Sequence, residues 1–220
     1  NTSLNILQNT ISLSASSTLF SIYLSSLVGS VEISRNRMHS NYVTSTSNVN
    51  FIYGSGIDGA TLTIANNFIG GDISATDVAF GIYLCKWIST PVVSIYHNTF
   101  KINSANNSLP SSNTSACIDI AGTSTIKNNI FINERYGDYD YLIKAAGTAT
   151  IDYNNFVGGG AANTGNRGDH ASTSSVFLTS ATDFHLTGAS IGDQLLAGTS
   201  GTGITTDIDG QTRHATKPYM

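Results

Sequence analysis

Apolar residues recur at every second position in short runs along this chain, and the runs come in a fixed order. The octet VSIYHNTF, residues 93–100, is matched by LNILQNTI, VEISRNRM, LTIANNFI, STIKNNIF and ATIDYNNF. Each has isoleucine third, asparagine sixth and a large apolar residue eighth. The asparagines are Asn9, Asn36, Asn67, Asn98, Asn129 and Asn154, so three successive steps are 31 residues and the flanking ones are 27 and 25. A period in this range marks a solenoid.

A second strand-like segment precedes each octet from the second onward: FSIYL (20–24), NFIYG (50–54), FGIYL (80–84), ACIDI (116–120) and YLIKA (141–145). Period-two alternation points Ile22, Ile52, Ile82, Ile118 and Ile143 inward, and Tyr23, Tyr53, Tyr83, Asp119 and Lys144 outward. A third short strand follows each asparagine, with Ile11, Met38, Ile69, Phe100, Phe131 and Phe156 inward. Two or three short strands per repeat, with no amphipathic helix between them, predict an all-β fold. The architecture expected is a right-handed parallel β-helix of about six coils, spanning residues 1–182, with a closing segment of the same domain at 183–220.

Composition supports this reading. Only 11% of residues are charged, Gly occurs 21 times, and Ser, Thr, Asn and Gly separate the apolar runs, which favours strands and turns over helices. A net charge of −4 with ten scattered basic residues gives no electrostatic footprint for nucleic acid. No apolar run approaches a membrane span, and no signal peptide is visible. The chain opens almost directly inside a repeat, so it reads as part of a longer chain. Cys85 and Cys117 sit four strand positions out of register, on the order of 13 Å, which predicts two free thiols.

Asparagine at the sixth octet position is expected to tolerate a left-handed bend between two strands. Stacked at one corner, the six side chains would bond one another in a ladder, a structural role.

With these octets the chain resembles the right-handed parallel β-helix proteins of the pectate-lyase-like superfamily. The segments DFHLTGASIGDQLLAG (183–198) and TDIDGQTR (206–213) resemble the ending that closes the helix in bacterial secreted or surface members. The resemblance implies an extracellular or cell-surface location and carbohydrate as the partner. It does not extend to catalytic motifs. No two aspartates are adjacent, no histidine lies between glycines, and Trp87 is followed by Ile88 and Ser89, so the hydrolase pair and the Asp-His pair of pectate lyases are absent.

Three functions follow as expectations: polysaccharide recognition, β-elimination on a uronate glycan, and a structural stalk of an adhesin-like protein. For recognition the candidates are the Tyr23, Tyr53 and Tyr83 row, extended by Lys86 and Trp87, although stacked tyrosines also pack without a ligand. For elimination the candidates are Lys101, Arg135, Arg167 and His170, projected from loops at 103–115, 133–140 and 158–175. Glu134, Asp138 and Asp140 supply the oxygen ligands that calcium takes, without EF-hand spacing. The register also pairs Asp119 with Lys144 and Lys127 with Asp152 across neighbouring coils, as surface ion pairs.

Overall fold

A computed structural model describes residues 3–14, 18–43, 48–57, 59–73, 79–86, 91–103, 115–135, 140–158 and 170–220. The first coil contains β1 (Ser3–Leu7), β2 (Thr10–Leu13) and β3 (Leu19–Ser25), and the next β4 (Ser30–Ser34), β5 (Arg37–Val43) and β6 (Val49–Ser55). They are followed by β7 (Thr61–Ala65), β8 (Phe68–Ile73) and β9 (Ala79–Lys86), then β10 (Val92–Tyr96), β11 (Thr99–Asn103) and β12 (Ser115–Ala121). The last strands are β13 (Thr123–Lys127), β14 (Ile130–Asn133), β15 (Asp140–Ala146), β16 (Ala149–Asp152) and β17 (Asn155–Gly158).

Every third strand pairs, always in parallel, which makes the chain a parallel β-helix. The first sheet has the order β1-β4-β7-β10-β13-β16, the second β2-β5-β8-β11-β14-β17, and the third β3-β6-β9-β12-β15. The register is the one the repeat predicts: Ile64 pairs with Ile95 and Ile95 with Ile126, Phe100 with Phe131, and Tyr23 with Tyr53. The isoleucine and phenylalanine rows fill the interior, where Ile33, Ile64, Ile95, Met38, Ile69, Phe100 and Phe131 are fully buried. Phe100, Phe131 and Phe156 stack with centroids 5.0 and 5.5 Å apart. One close approach requires glycine: Gly70 has φ +140°, and a Cβ there would lie 1.8 Å from the Lys101 carbonyl oxygen of the neighbouring strand.

The asparagine ladder is present in full. The backbone N–H and Nδ2 of Asn98 both donate to Asn129 Oδ1, at 2.9 and 3.0 Å, and Nδ2 also reaches the Ile64 carbonyl at 2.9 Å. The same side-chain bond links Asn9 to Asn36, Asn36 to Asn67, Asn67 to Asn98 and Asn129 to Asn154. One detail differs from expectation. The left-handed residue is not the ladder asparagine but the one before it: Gln8, Arg35, Asn66, His97, Asn128 and Tyr153 all have φ between 52° and 60°. The bend therefore turns one residue earlier, which leaves the ladder amide aimed inward and the preceding side chain aimed out.

The C-terminal segment packs against the side of the coils. Ser172 adds one bridge to Asn155 beyond β17, and the chain then returns as a strap along the flank of the second sheet. Its Phe184 packs on Phe68, and Met220 on Ile130 and Ile132. Those three residues point outward from the second sheet, so the strap covers apolar surface that would otherwise face water.

Candidate functional site

The outward face of the third sheet is shaped by a break in alternation. Phe51 and Ile52 are adjacent in β6 and both fully buried, as are Cys117 and Ile118 in β12. Two consecutive inward side chains bend the strand, and the outward positions on either side, rows 20 and 23, then face one another across a groove of about 520 Å³. Phe20, Asn50 and Phe80 line one side, and Tyr23, Tyr53 and Tyr83 the other, followed by Asp119 and Lys144. Thr18 and Asn48, just ahead of β3 and β6, complete the lining.

The tyrosine row is a continuous stack. Tyr23 and Tyr53 lie 5.2 Å apart at 15°, and Tyr53 and Tyr83 5.5 Å apart at 18°. Phe20 meets Tyr23 and Tyr53 edge-on at 5.3 and 5.0 Å, and Phe80 is 4.7 Å from Tyr83. Because the rings use much of their faces on one another, they offer the groove their edges and hydroxyls more than flat platforms. Tyr23 is the most open of the three, 55% exposed.

Beyond the tyrosines the row becomes charged. Lys144 Nζ lies 3.0 Å from Asp119 Oδ2, with the carboxylate buried and the ammonium half-exposed, so the expected cross-strand pair is formed. The second expected pair is in register, Lys127 beside Asp152, but the Asp152 carboxylate accepts from the His170 backbone N–H at 3.0 Å and its ring Nδ1 at 3.1 Å instead. No ion pair joins Lys127 to Asp152 among the described residues. Burial works against the Asp152 charge, but the bonds from His170 and from the Tyr153 N–H outweigh it and hold the carboxyl below its ordinary range.

The remaining sequence candidates fall in separate places. Lys101 Nζ, on β11 of the second sheet, stands 4.0 Å from Glu134 Oε2. Arg135 is buried, its backbone N–H donating to Asn133 Oδ1. His170 stacks on Tyr153 at 4.2 Å, at the far corner beside the first sheet. No contact among the described residues joins His170 to Lys101 or Arg135. Arg167, Asp138 and Trp87 lie outside the described residues, and of Lys86 and Asp140 only the backbone is described, in β9 and β15. No cluster of three metal-ligating side chains occurs among the described residues. No helix there is long and apolar enough to cross a membrane. Cys117 is a free thiol, and burial pushes its pKa far up. The Cys85 side chain is not described.

Sequence reasoning missed the row of residues just before the ladder asparagines, which anchors the strap. Asn66 donates to the Thr206 carbonyl at 2.7 Å and accepts from Arg213 at 2.8 Å. Asn128 exchanges two bonds with Thr199, at 2.7 and 2.8 Å. His97 is 4% exposed and sits between Tyr219 O and Thr202 Oγ1, both at 3.2 Å, with Asn128 Nδ2 at 3.1 Å. A neutral ring with the proton on Nδ1 satisfies these partners: it donates to the Tyr219 carbonyl and accepts at Nε2. Burial first, and the Arg213 charge second, push the His97 pKa down to about 3. Nearby, His185 bridges Asp183 and Asp209, and Asp209 also pairs with Arg37 at 2.7 Å. A cavity of about 150 Å³ lies between strap and sheet here. The sequence does carry a signal for it: β8 and β14 have apolar residues on both faces, the mark of a covered sheet.

No protein family, no curated protein and no solved structure matches this chain. The parallel β-helix therefore rests on its own strand pairing and ladder, and likeness to the pectate-lyase-like proteins stays a resemblance of pattern.

Proposed function

We propose that the chain is a carbohydrate-recognition module, and that the groove on the outward face of the third sheet binds an extended glycan. The observation that carries this is the groove itself. Five aromatic rings from three successive coils line about 520 Å³ together with two asparagines, an apolar and hydrogen-bonding mixture on a rigid scaffold. From Tyr23 to Lys144 the row crosses four strand spacings, about 19 Å, room for roughly four linked sugar rings. The tyrosine hydroxyls face a ligand lying along the solenoid axis, so one sugar hydroxyl after another meets an equivalent partner. Such a module suits a secreted or surface protein, where polysaccharide is the extended ligand at hand.

The proposal is binding without a reaction. β-Elimination needs a base and a group that neutralises the uronate carboxylate, and among the described residues Lys101 stands against Glu134 and His170 against Asp152, with no contact between them. The test is an NMR titration of the tyrosine ring signals with a panel of soluble oligosaccharides. At least one is expected to shift all three rings, and Tyr53→Ala to weaken its binding about tenfold or more. Rings unmoved by every member of the panel would sink the proposal.

A further inference from the structure

We infer that the C-terminal strap is a latch that acid releases from the coils, and that His97 is the contact that reads the proton. His97 stands in one corner row with Asn66 and Asn128, and all three bond the strap. The hydrogen bonds around its ring admit one protonation state. Nδ1 faces the Tyr219 carbonyl, which only accepts, so Nδ1 carries the hydrogen. Nε2 faces Asn128 Nδ2 at 3.1 Å, and an amide nitrogen only donates, so Nε2 must accept. The Asn128 amide is held in that orientation: Nδ2 donates to the Thr199 carbonyl at 2.7 Å and Oδ1 accepts from the Thr199 N–H at 2.8 Å, and a turned amide loses both bonds. A second proton on the buried ring therefore sets two donors against each other.

The charges around the ring act in the same direction. Among the described residues Arg213, Asp207 and His185 line the cavity beside it. The Arg213 guanidinium is tied to Asn66 Oδ1 and to the carbonyls of Thr206 and Tyr219, so it stays near the imidazole for as long as the strap is docked. Asp207 turns Oδ1 to the backbone N–H groups of Asp209 and Gln211. Burial first, and the Arg213 charge second, hold the docked ring near pKa 3, against 6.5 for a ring in water. Each pH unit below 6.5 therefore favours the released strap about tenfold more, until the docked ring itself titrates. His185 works in the opposite sense, because a proton on its ring suits the two carboxylates that it bridges, Asp183 and Asp209. The loss in acid is therefore traced to His97. The ladder that joins the coils consists of amides and carbonyls, which take up no proton in this range, so the strap leaves a standing solenoid. Release bares Phe68, Ile130 and Ile132 on the second sheet.

NMR spectra recorded from pH 7 to pH 4 follow strap and coils in one sample. The backbone amides of Thr199, Thr206 and Tyr219 are expected to move to unstructured positions as pH falls, in step with the His97 ring signals becoming those of an imidazolium. The side-chain amides of Asn67, Asn98 and Asn129 are expected to hold their positions. His97→Asn, which continues the row of Asn66 and Asn128, is expected to keep the strap docked to a pH about one unit lower or more. A strap still docked at pH 4 in the unaltered chain would overturn the inference, and so would strap and ladder signals lost together. Release of the His97→Asn strap at the pH of the unaltered chain would overturn the role of His97. Should that variant fail to dock its strap at pH 7, the ring signals of the unaltered chain still decide, since a ring that stays neutral while the strap leaves is not the group that reads the proton.

Discussion

Two ladders of like residues climb this molecule, and they behave oppositely. At the corner between the first and second sheets six asparagines stack, all but the exposed Asn9 at the end out of water, and each amide finds its partners in a neighbouring asparagine and in backbone carbonyls. On the third sheet three tyrosines stack at the same rise, but beside an open groove. Repetition produces stability where a row closes on itself and a binding surface where it does not. The difference lies in what sits beside each row: the asparagines are enclosed by the backbone bend, while the tyrosines border an open groove.

The sharpest way to break the comparison is at the closed ladder. Asn98→Ala leaves the Asn67 backbone N–H without its acceptor and takes from Asn129 Oδ1 one of its two donors, the backbone N–H at position 98 remaining. It is expected to cost about 3 kcal/mol in denaturant unfolding, two buried groups losing partners. An unfolding midpoint equal to the unaltered chain would remove the ladder from the account of stability. Asn98→Asp should fare no better, because the retained acceptor comes with a buried charge.

Next in size is a pH effect at the strap. His97 titrates at about 3 when folded against 6.5 when unfolded, so the unfolded chain takes up a proton that the folded chain refuses. Stability is full above pH 6.5 and falls as pH drops, by about 2 kcal/mol between pH 7 and 5. Asp152 and Asp209 are both lowered in the fold; their contribution is present above 3.8 and lost only as pH falls below it, so the pH 7 to 5 window reports His97. His97→Asn should flatten unfolding free energy across that window, and a slope that persists would move its origin elsewhere.

Smaller still is the open ladder. Tyr53→Ala removes the middle ring of the stack and is expected to cost about 1 kcal/mol in stability, far less than its effect on glycan binding. A stability loss as large as that of Asn98→Ala would make the tyrosines a second structural ladder and erase the contrast. Least of all is Arg37→Gln, which breaks a half-exposed pair with Asp209 and is expected to cost about 0.5 kcal/mol or less. Calorimetry resolving a larger loss would show that the strap is fastened through this pair and not through the buried corner row.

How legible this was depended on whether a feature repeats. Strand order, register, the inward isoleucines and the asparagine ladder all follow from a period read in one dimension, because each coil contacts its neighbours one repeat away. The Asp119–Lys144 pair came from the same register. The left-handed residue was misplaced by one, since Asn, which tolerates that conformation, sits next to positions held by Gln8, Arg35, His97 and Tyr153, whose identities give no turn signal. The strap was illegible for the opposite reason. Its contacts join Thr199 to Asn128 and Asp209 to Arg37 without any period, and the choice of partner depends on where the returning chain lies in space. The groove stood between these cases: the tyrosine row was plain, but the inward pair Phe51 and Ile52, which tilts Asn50 and Phe80 toward it, breaks the alternation that sequence reading relies on.

The spacing of these contacts also orders the folding of the chain. Ladder bonds span 25 to 31 residues, so each coil forms against its predecessor at a similar loop-closure cost, and growth proceeds coil by coil from any nucleus. The strap bonds span 71 residues at Asn128, 147 at Asn66 and 172 at Arg37, and each needs a corner that exists only after its coil has formed. This spacing predicts that the strap docks last in folding and is released first in unfolding. Without the strap Phe68, Ile130 and Ile132 would lie bare, so a chain truncated before it is expected to self-associate.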